Sequence, residues 1–396
     1  MYVSEQFNMY HLAYHLVNQD KFNILHIDFN ANELWLNKYD HRASTVIRII
    51  QRGFDWKNHL KMDISSVFQR VDKMKHLLMG KNIQIYNIYI TEYPPVDDWE
   101  MLKKTLQIKE KKALQMNIFY LAENNFSEEY TRLLKQINSK LNPEVNLPSE
   151  IEQQKWTLIY KNRLSKILVD RKEKMKSVIQ YGTPRLTYLF IIINFVMFLI
   201  LEFSGGSMNI ETLINYGAKY NPAIMEGEWW RIITSMFLHV GILHFIINMF
   251  ALYYLGMTVE KTFGSIRFLI IYFISGIGGG LASFMFSQSV AAGASGALFG
   301  LFGALLLFTI IYKQLFFRTM GKNLIAILLI NIAFGIIVPQ IDMGAHIGGL
   351  VTGFLISSII YVPNKKNIIV QSISLIILFG LLLFLTIFGI HINSIT

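Results

Sequence analysis

The chain has 396 residues, no cysteine, 53% hydrophobic against 16% charged residues, and a formal net charge of +10. Of its 37 Lys/Arg and 27 Asp/Glu, 28 and 21 respectively precede Tyr188, and the remainder of the chain is nearly charge-free. That asymmetry excludes a purely soluble chain and a disordered one. The absence of thiols excludes disulfides, thiolate catalysis and cysteine-based metal sites.

The opening residues, Met1 to Val17, carry Glu5 and lack the basic and apolar regions of a secretory signal, so the first 185 residues are expected in the cytoplasm. Helical periodicity fits Glu5–Val17, Ile64–Leu78, Asp98–Ile108 and Ser127–Asn138. Apolar alternation marks strands at Phe22–Phe29, Leu34–Leu36, Thr45–Ile50, Ile83–Thr91 and Asn117–Leu121. The first two strands are close enough for a hairpin, and the later strand–helix–strand order predicts one parallel crossover. Residues 1–145 thus read as a soluble mixed α/β domain of ordinary size. Its chemistry is sparse. His11 and His15 share a helix face, and His26 and Asp28 share a strand face. A divalent-metal site is one reading of these residues, and surface histidines without a role the other.

Asn142-Pro143 and Pro148-Ser149 mark a break. Residues 146–185 read as a linker carrying a basic juxtamembrane helix, Glu150–Gln180. Its Arg171–Lys176 run suits anionic lipid, where each Lys or Arg is worth about 1 kcal/mol. The positive charge therefore points to the bilayer surface and gives no reason to expect a nucleic-acid partner.

A spanning helix needs about 20 mainly apolar residues. Seven segments qualify: Leu186–Phe203, Leu238–Met257, Ile266–Phe286, Gly293–Tyr312, Lys322–Val338, Met343–Tyr361 and Ile368–Ile390. The fourth to sixth are rich in Gly and Ala, which permits close helix contact in lipid. With a cytoplasmic N-terminus, the inside loops carry Lys261, Arg267, Lys313, Arg318, Lys322, Lys365 and Lys366, and the outside loops only Lys219 and Arg231. This bias predicts an inside N-terminus and an outside C-terminus in the cell membrane.

Polar groups within spans are costly and need a reason. Ser295 lies at the start of the fourth span, His346 at the start of the sixth, and His239 and His244 open the second. By the predicted topology all three starts are outer ends. His346, Gly349 and Gly353 share one helix face, and Gly296, Gly300 and Gly303 repeat the device on the fourth span. Such small residues let two backbones approach, so His346 is expected within hydrogen-bond reach of Ser295. A serine hydroxyl is a weak nucleophile until a base takes its proton, and a neutral imidazole can do so. His244 and Asn248, four apart, and the Ser295 backbone N–H are candidate donors to an oxyanion. Asp342, four residues before His346, reads either as an orienting carboxylate or as a helix cap; a Ser–His dyad is the favoured reading. Taken singly, a GxSG string is an ordinary small-residue helix contact and a histidine near a membrane end is interfacial. His391 is read that way.

At these residues the chain resembles the rhomboid family of intramembrane serine proteases. The pieces are Glu228-Trp-Trp-Arg231, His239-Val-Gly-Ile-Leu-His244-Phe-Ile-Ile-Asn248, Tyr254-Leu-Gly256, Glu260 with Gly264, Gly293-Ala-Ser-Gly296 and Ala345-His-Ile-Gly-Gly349. The match covers 186–361, six spans, and leaves 362–396 as a seventh helix and C-terminus. The resemblance implies a polytopic α-helical membrane protein that hydrolyses peptide bonds in or near the transmembrane segments of membrane-protein substrates. Ser295 would be nucleophile and His346 base, with His244, Asn248 and the Ser295 amide as oxyanion hole, and neither cofactor nor metal. The N-terminal domain lies outside the match; it is expected to regulate activity or recruit partners, with a ligand, a divalent metal or a partner protein as its target.

Two rivals differ in kind. A transporter would need a polar path continuing inward, and no second cluster exists. A non-proteolytic relative that escorts membrane proteins would commonly lack the nucleophile or the base.

Overall fold

The computed structural model describes the chain except for residues 1, 41–42, 76–77, 79, 109–112, 143–147, 314, 317–320, 338–340 and 396. Pro143 of the expected break, Arg318 of an expected inside loop and Val338, the expected end of the fifth span, lie outside the described residues. The chain divides into two compact units, Met1–Glu173 and Lys174–Thr396.

The first unit is built on a six-stranded sheet in the order β1-β2-β3-β4-β6-β5. Helix α1 (Tyr2–Asn18) precedes β1 (Asn23–Asp28), β2 (Glu33–Asp40) and β3 (Ala43–Gln51), which pair antiparallel. Helix α2 (Lys57–Met74) crosses over to β4 (Asn82–Ile90), parallel to β3. β6 (Ala113–Leu121) runs parallel to β4. There are thus two parallel pairs where one crossover was expected. The central strands are buried along both faces, as parallel strands covered by helices must be. Helices α1, α3 (Phe126–Gln136) and α4 (Glu150–Ile179) cover one face and α2 the other. Tyr160 and Leu164 of α4 lie in that first core, so most of the helix expected between domains packs with the N-terminal unit.

The helix expected over Asp98–Ile108 does not form. A short 3₁₀ turn, Glu100–Lys103, gives way at Lys104 to extended backbone and to β5 (Leu106–Ile108), which pairs antiparallel with β6. The open side of β6 offers unpaired backbone groups, and satisfying them outweighs the weak helical periodicity. The histidine readings also find structural partners. His11 stacks on Phe7 and lies 4.5 Å from the His15 ring, beside Tyr160. Asp28 accepts the N–H groups of Asn30 and Ala31 and so shapes the β1–β2 turn. Among the described residues no group of three or more His, Asp or Glu side chains is placed to hold a metal.

The second unit is helical: α5 (Leu186–Phe203), three short helices in the following loop (α6 Ile210–Asn215, α7 Asn221–Met225, α8 Arg231–Thr234), α9 (Gly241–Ala251) continuing through a π turn into α10 (Met257–Phe263), α11 (Ser265–Phe286), α12 (Ser295–Ile311), α13 (Gly321–Ile337), α14 (Met343–Ile360) and α15 (Ile368–Ile395). Among the described residues, five helices are able by length and composition to cross a membrane: α5, the α9–α10 run, α11, α14 and α15. Ser295–Ile311 and Leu324–Ala333 are shorter apolar helices. Each of the seven expected segments is helical over most of its described residues, although the second begins at Gly241, leaving His239 in the preceding loop, and the fourth begins at Ser295.

Helix ends in such an apolar setting need internal partners. Glu260, fully buried, supplies them for α5. Its carboxylate accepts the N–H groups of Arg185, Leu186 and Thr187 at 2.8–2.9 Å and the hydroxyls of Thr187 and Ser265.

The centre of the unit is a three-helix contact made by glycine. A Cβ placed on Gly349 would lie 2.7 Å from the Gly296 carbonyl carbon, one on Gly303 2.5 Å from the Phe354 nitrogen, and one on Gly279 2.7 Å from the Ala345 oxygen. Backbone therefore meets backbone where α11, α12 and α14 cross. Gly353→Ala, whose new methyl would run into Gly300, should destabilise the unit by about 1–3 kcal/mol. A lowered unfolding midpoint of the purified variant checks this.

Candidate active site

Ser295 is the first residue of α12 and is partly exposed. The first-turn N–H groups of a helix lack intrahelical partners and carry the positive end of its dipole, so the Ser295 amide is available to an anion. The approach to Ser295 is fixed by a backbone conformation and by two backbone partners, Ser235 and Lys219. Gly293 has φ +149°, a conformation that L side chains rarely adopt. Its N–H donates to the Ser235 carbonyl at 2.9 Å. Two residues earlier, Ala291 exchanges backbone hydrogen bonds of 2.9 and 3.0 Å with Lys219.

His244 lies on this segment. A Cβ on Gly293 would be 2.7 Å from His244 Cε1 and 3.0 Å from Nε2, so the imidazole fills the space that glycine leaves open. Asn248, one turn further along α9 and 3% exposed, donates from Nδ2 to the His244 carbonyl at 2.9 Å. His239 sits deeper, its ring 5.5 Å from that of His244 and edge-on to Phe245.

His346 occupies the first turn of α14 and is 8% exposed. Its ring stacks on Phe299, centroids 4.1 Å apart and planes 16° from parallel. Phe299 lies four residues after Ser295, on the same face of α12. The imidazole is thus laid along the Ser295 side of that helix, and the Gly349–Gly296 contact holds the two backbones together one turn below His346.

Asp342 acts as the cap of α14. Its Oδ1 accepts the Ala345 N–H at 2.9 Å and its Oδ2 the Ser283 hydroxyl. The buried Nδ1 of His346 has no hydrogen-bond partner among the described residues. Ser295 and His346 lie on one side of α12, and no hydrogen bond joins them in this structure. Sequence reasoning missed Phe299, although the four-residue spacing from Ser295 was there to be read, and it missed the seat of His244 on Gly293, for which no local signal existed.

A rhomboid domain model matches residues 226–363. Over 390 residues, 98% of this chain and 75% of the relative, the chain is 34% identical to the rhomboid protease GluP of Bacillus subtilis. It is 44% identical over 162 residues to the mitochondrial RHOMBOID-like protein 6 of Arabidopsis thaliana, covering 39% of this chain and 52% of the relative. It is 36% identical over 140 residues to a second protein of Bacillus subtilis, the putative rhomboid protease YdcA, covering 35% and 70%.

Gly293→Ala combines an unfavourable φ with a collision against His244. It should cost more than about 1 kcal/mol of stability and displace the imidazole. The fall in unfolding midpoint, with a shifted His244 ring resonance, checks it.

Proposed function

The chain belongs to the rhomboid family and is an intramembrane serine protease, and from that premise we propose that Ser295 and His346 form its catalytic dyad, cutting transmembrane segments of membrane proteins near the outer face. His346 takes the Ser295 hydroxyl proton as the oxygen attacks the scissile carbonyl carbon. The developing oxyanion is received by the Ser295 N–H, His244 and the Asn248 amide. The C–N bond then breaks, and His346 returns its proton to the leaving amine. Water, deprotonated in turn by His346, releases the acyl group and restores the hydroxyl. The observation that carries this reading is the stacking of His346 on Phe299, on the Ser295 side of α12.

The orientation follows the charge bias: N-terminus in the cytoplasm, C-terminus outside, and the Ser295 end of α12 near the outer surface. The N-terminal α/β domain lies outside the catalytic set and regulates activity or recruits partners. Removing residues 1–173 should change cleavage of native substrates in cells. Unchanged cleavage would count against a regulatory role.

The first experiment incubates the purified full chain in detergent with a single-span substrate, alongside a fluorophosphonate probe. Ser295→Ala should lose cleavage and labelling together, and His346→Ala should lose cleavage while its unfolding midpoint persists. Asn248→Ala, removing one oxyanion donor, should slow turnover by about 10²–10³. Near-normal turnover by His346→Ala sinks the dyad.

A further inference from the structure

Lys219 lies in the loop between α5 and α9, yet is 1% exposed. Among the described residues no carboxylate lies within ion-pair distance of its ammonium. Nζ instead donates to two backbone carbonyls, Ser287 at 2.6 Å and Ser289 at 3.1 Å. Both belong to the segment that leaves α11 and leads to Ser295. The same lysine's backbone forms the bridge to Ala291. Two residues on, Asn221 Nδ2 also reaches the Ser287 carbonyl at 3.1 Å and lies 2.7 Å from Asn393 Oδ1 of α15. One short stretch of the loop thus grips residues 287–291 by backbone and by a buried cation, placed at a helix C-terminus where carbonyls carry the negative end of the dipole.

From this geometry we propose that Lys219 is a positioning residue for the Ser295–His346 reaction, its ammonium clamping the 287–291 segment and so setting where Ser295 enters α12. The proposal rests on the protease reading of that site. Residues 287–294 form no regular helix, so their path depends on such ties. Charge-assisted bonds are about twice as strong as neutral ones, and displacing a reacting group by about 1 Å can cost 10²-fold in rate.

The charge is also what makes the clamp testable. Burial lowers the Lys219 pKa from 10.5 to about 8, with Asp342 of α14 opposing the shift. Arg231 of α8 binds the neighbouring Ala218 carbonyl and is paired with Glu228, while Ser287, Gln288 and Asn393, supplied from the α11 and α15 sides, do not titrate. Because the folded chain holds this proton less tightly than the unfolded one, the group adds stability as pH rises from about 8 to 10.5. Activity lost as pH rises through about 8 is therefore not explained by unfolding at Lys219.

The test measures kcat and KM of the purified full chain on a single-span substrate from about pH 6 to 10, with unfolding midpoints at each pH, for the wild type, Lys219→Met and Ser295→Ala. The wild type should lose kcat with a midpoint near 8 while its unfolding midpoint does not fall. Lys219→Met should show kcat lowered about 10²-fold, KM little changed and no inflection near 8. A wild-type kcat that is flat through 8, or wild-type turnover by Lys219→Met, overturns the proposal. If Lys219→Met does not fold, the wild-type pair of profiles decides alone. Wild-type inactivity equal to that of Ser295→Ala at every pH would instead refute the protease reading. An active wild type without the inflection refutes only the role of Lys219.

Discussion

The contact between Gly349 and Gly296 is the constraint on which the rest of the membrane unit depends. Lipid offers no hydrophobic drive for apolar helices to associate, so they associate where they can pack closely. Here the approach is backbone to backbone, with Gly279 of α11 as the third party. Ser295 and His346 are each within one turn of that contact. A helix is stiff over such a distance, so fixing the glycines fixes the separation of the two side chains. Any side chain at Gly349 would push α14 away from α12 and carry His346 with it.

The second constraint is polar. In an apolar solvent every exposed helix end and every loop carbonyl needs a partner within the protein. Side chains are those partners in this chain. Glu260 serves the start of α5, Asp342 the start of α14, and Lys219 with Asn221 the end of α11. Arg231 does the same for loop carbonyls of Ile214 and Ala218. Glu260, Asp342, Lys219 and Arg231 thus act as caps and ties in a nearly charge-free half. Between them they leave a short irregular segment, 287–294, held on several sides and ending at a nucleophile candidate.

The N-terminal unit obeys ordinary aqueous rules. Its buried Arg48 is paired with Glu33 and Asp63 and bonded to Asn87, and so ties α2 to the sheet. Two hydrophobic cores lie on opposite faces of the sheet, one of them extended by α4.

The sequence by itself determined the division into an α/β domain and a set of apolar helices, because hydropathy and periodicity are local properties. It also singled out Ser295, His346, His244 and Asn248, because polar groups at the ends of apolar spans are rare enough to stand out. It misread Asp98–Ile108, whose strand conformation depends on the open side of β6, and it counted one parallel pair where β4 is flanked by two. Asp342 stayed ambiguous in sequence, since a cap and an orienting carboxylate share the same spacing. Only the tertiary structure shows the cap contacts, with Ser283 on α11 and the Ala345 amide. Phe299 under His346, His244 on Gly293 and Lys219 on the Ser287 carbonyl were likewise settled there. Each is a contact between segments far apart in the chain, and which faces meet is decided by how closely glycines let the helices approach, a property of the packed assembly that no single stretch of residues carries.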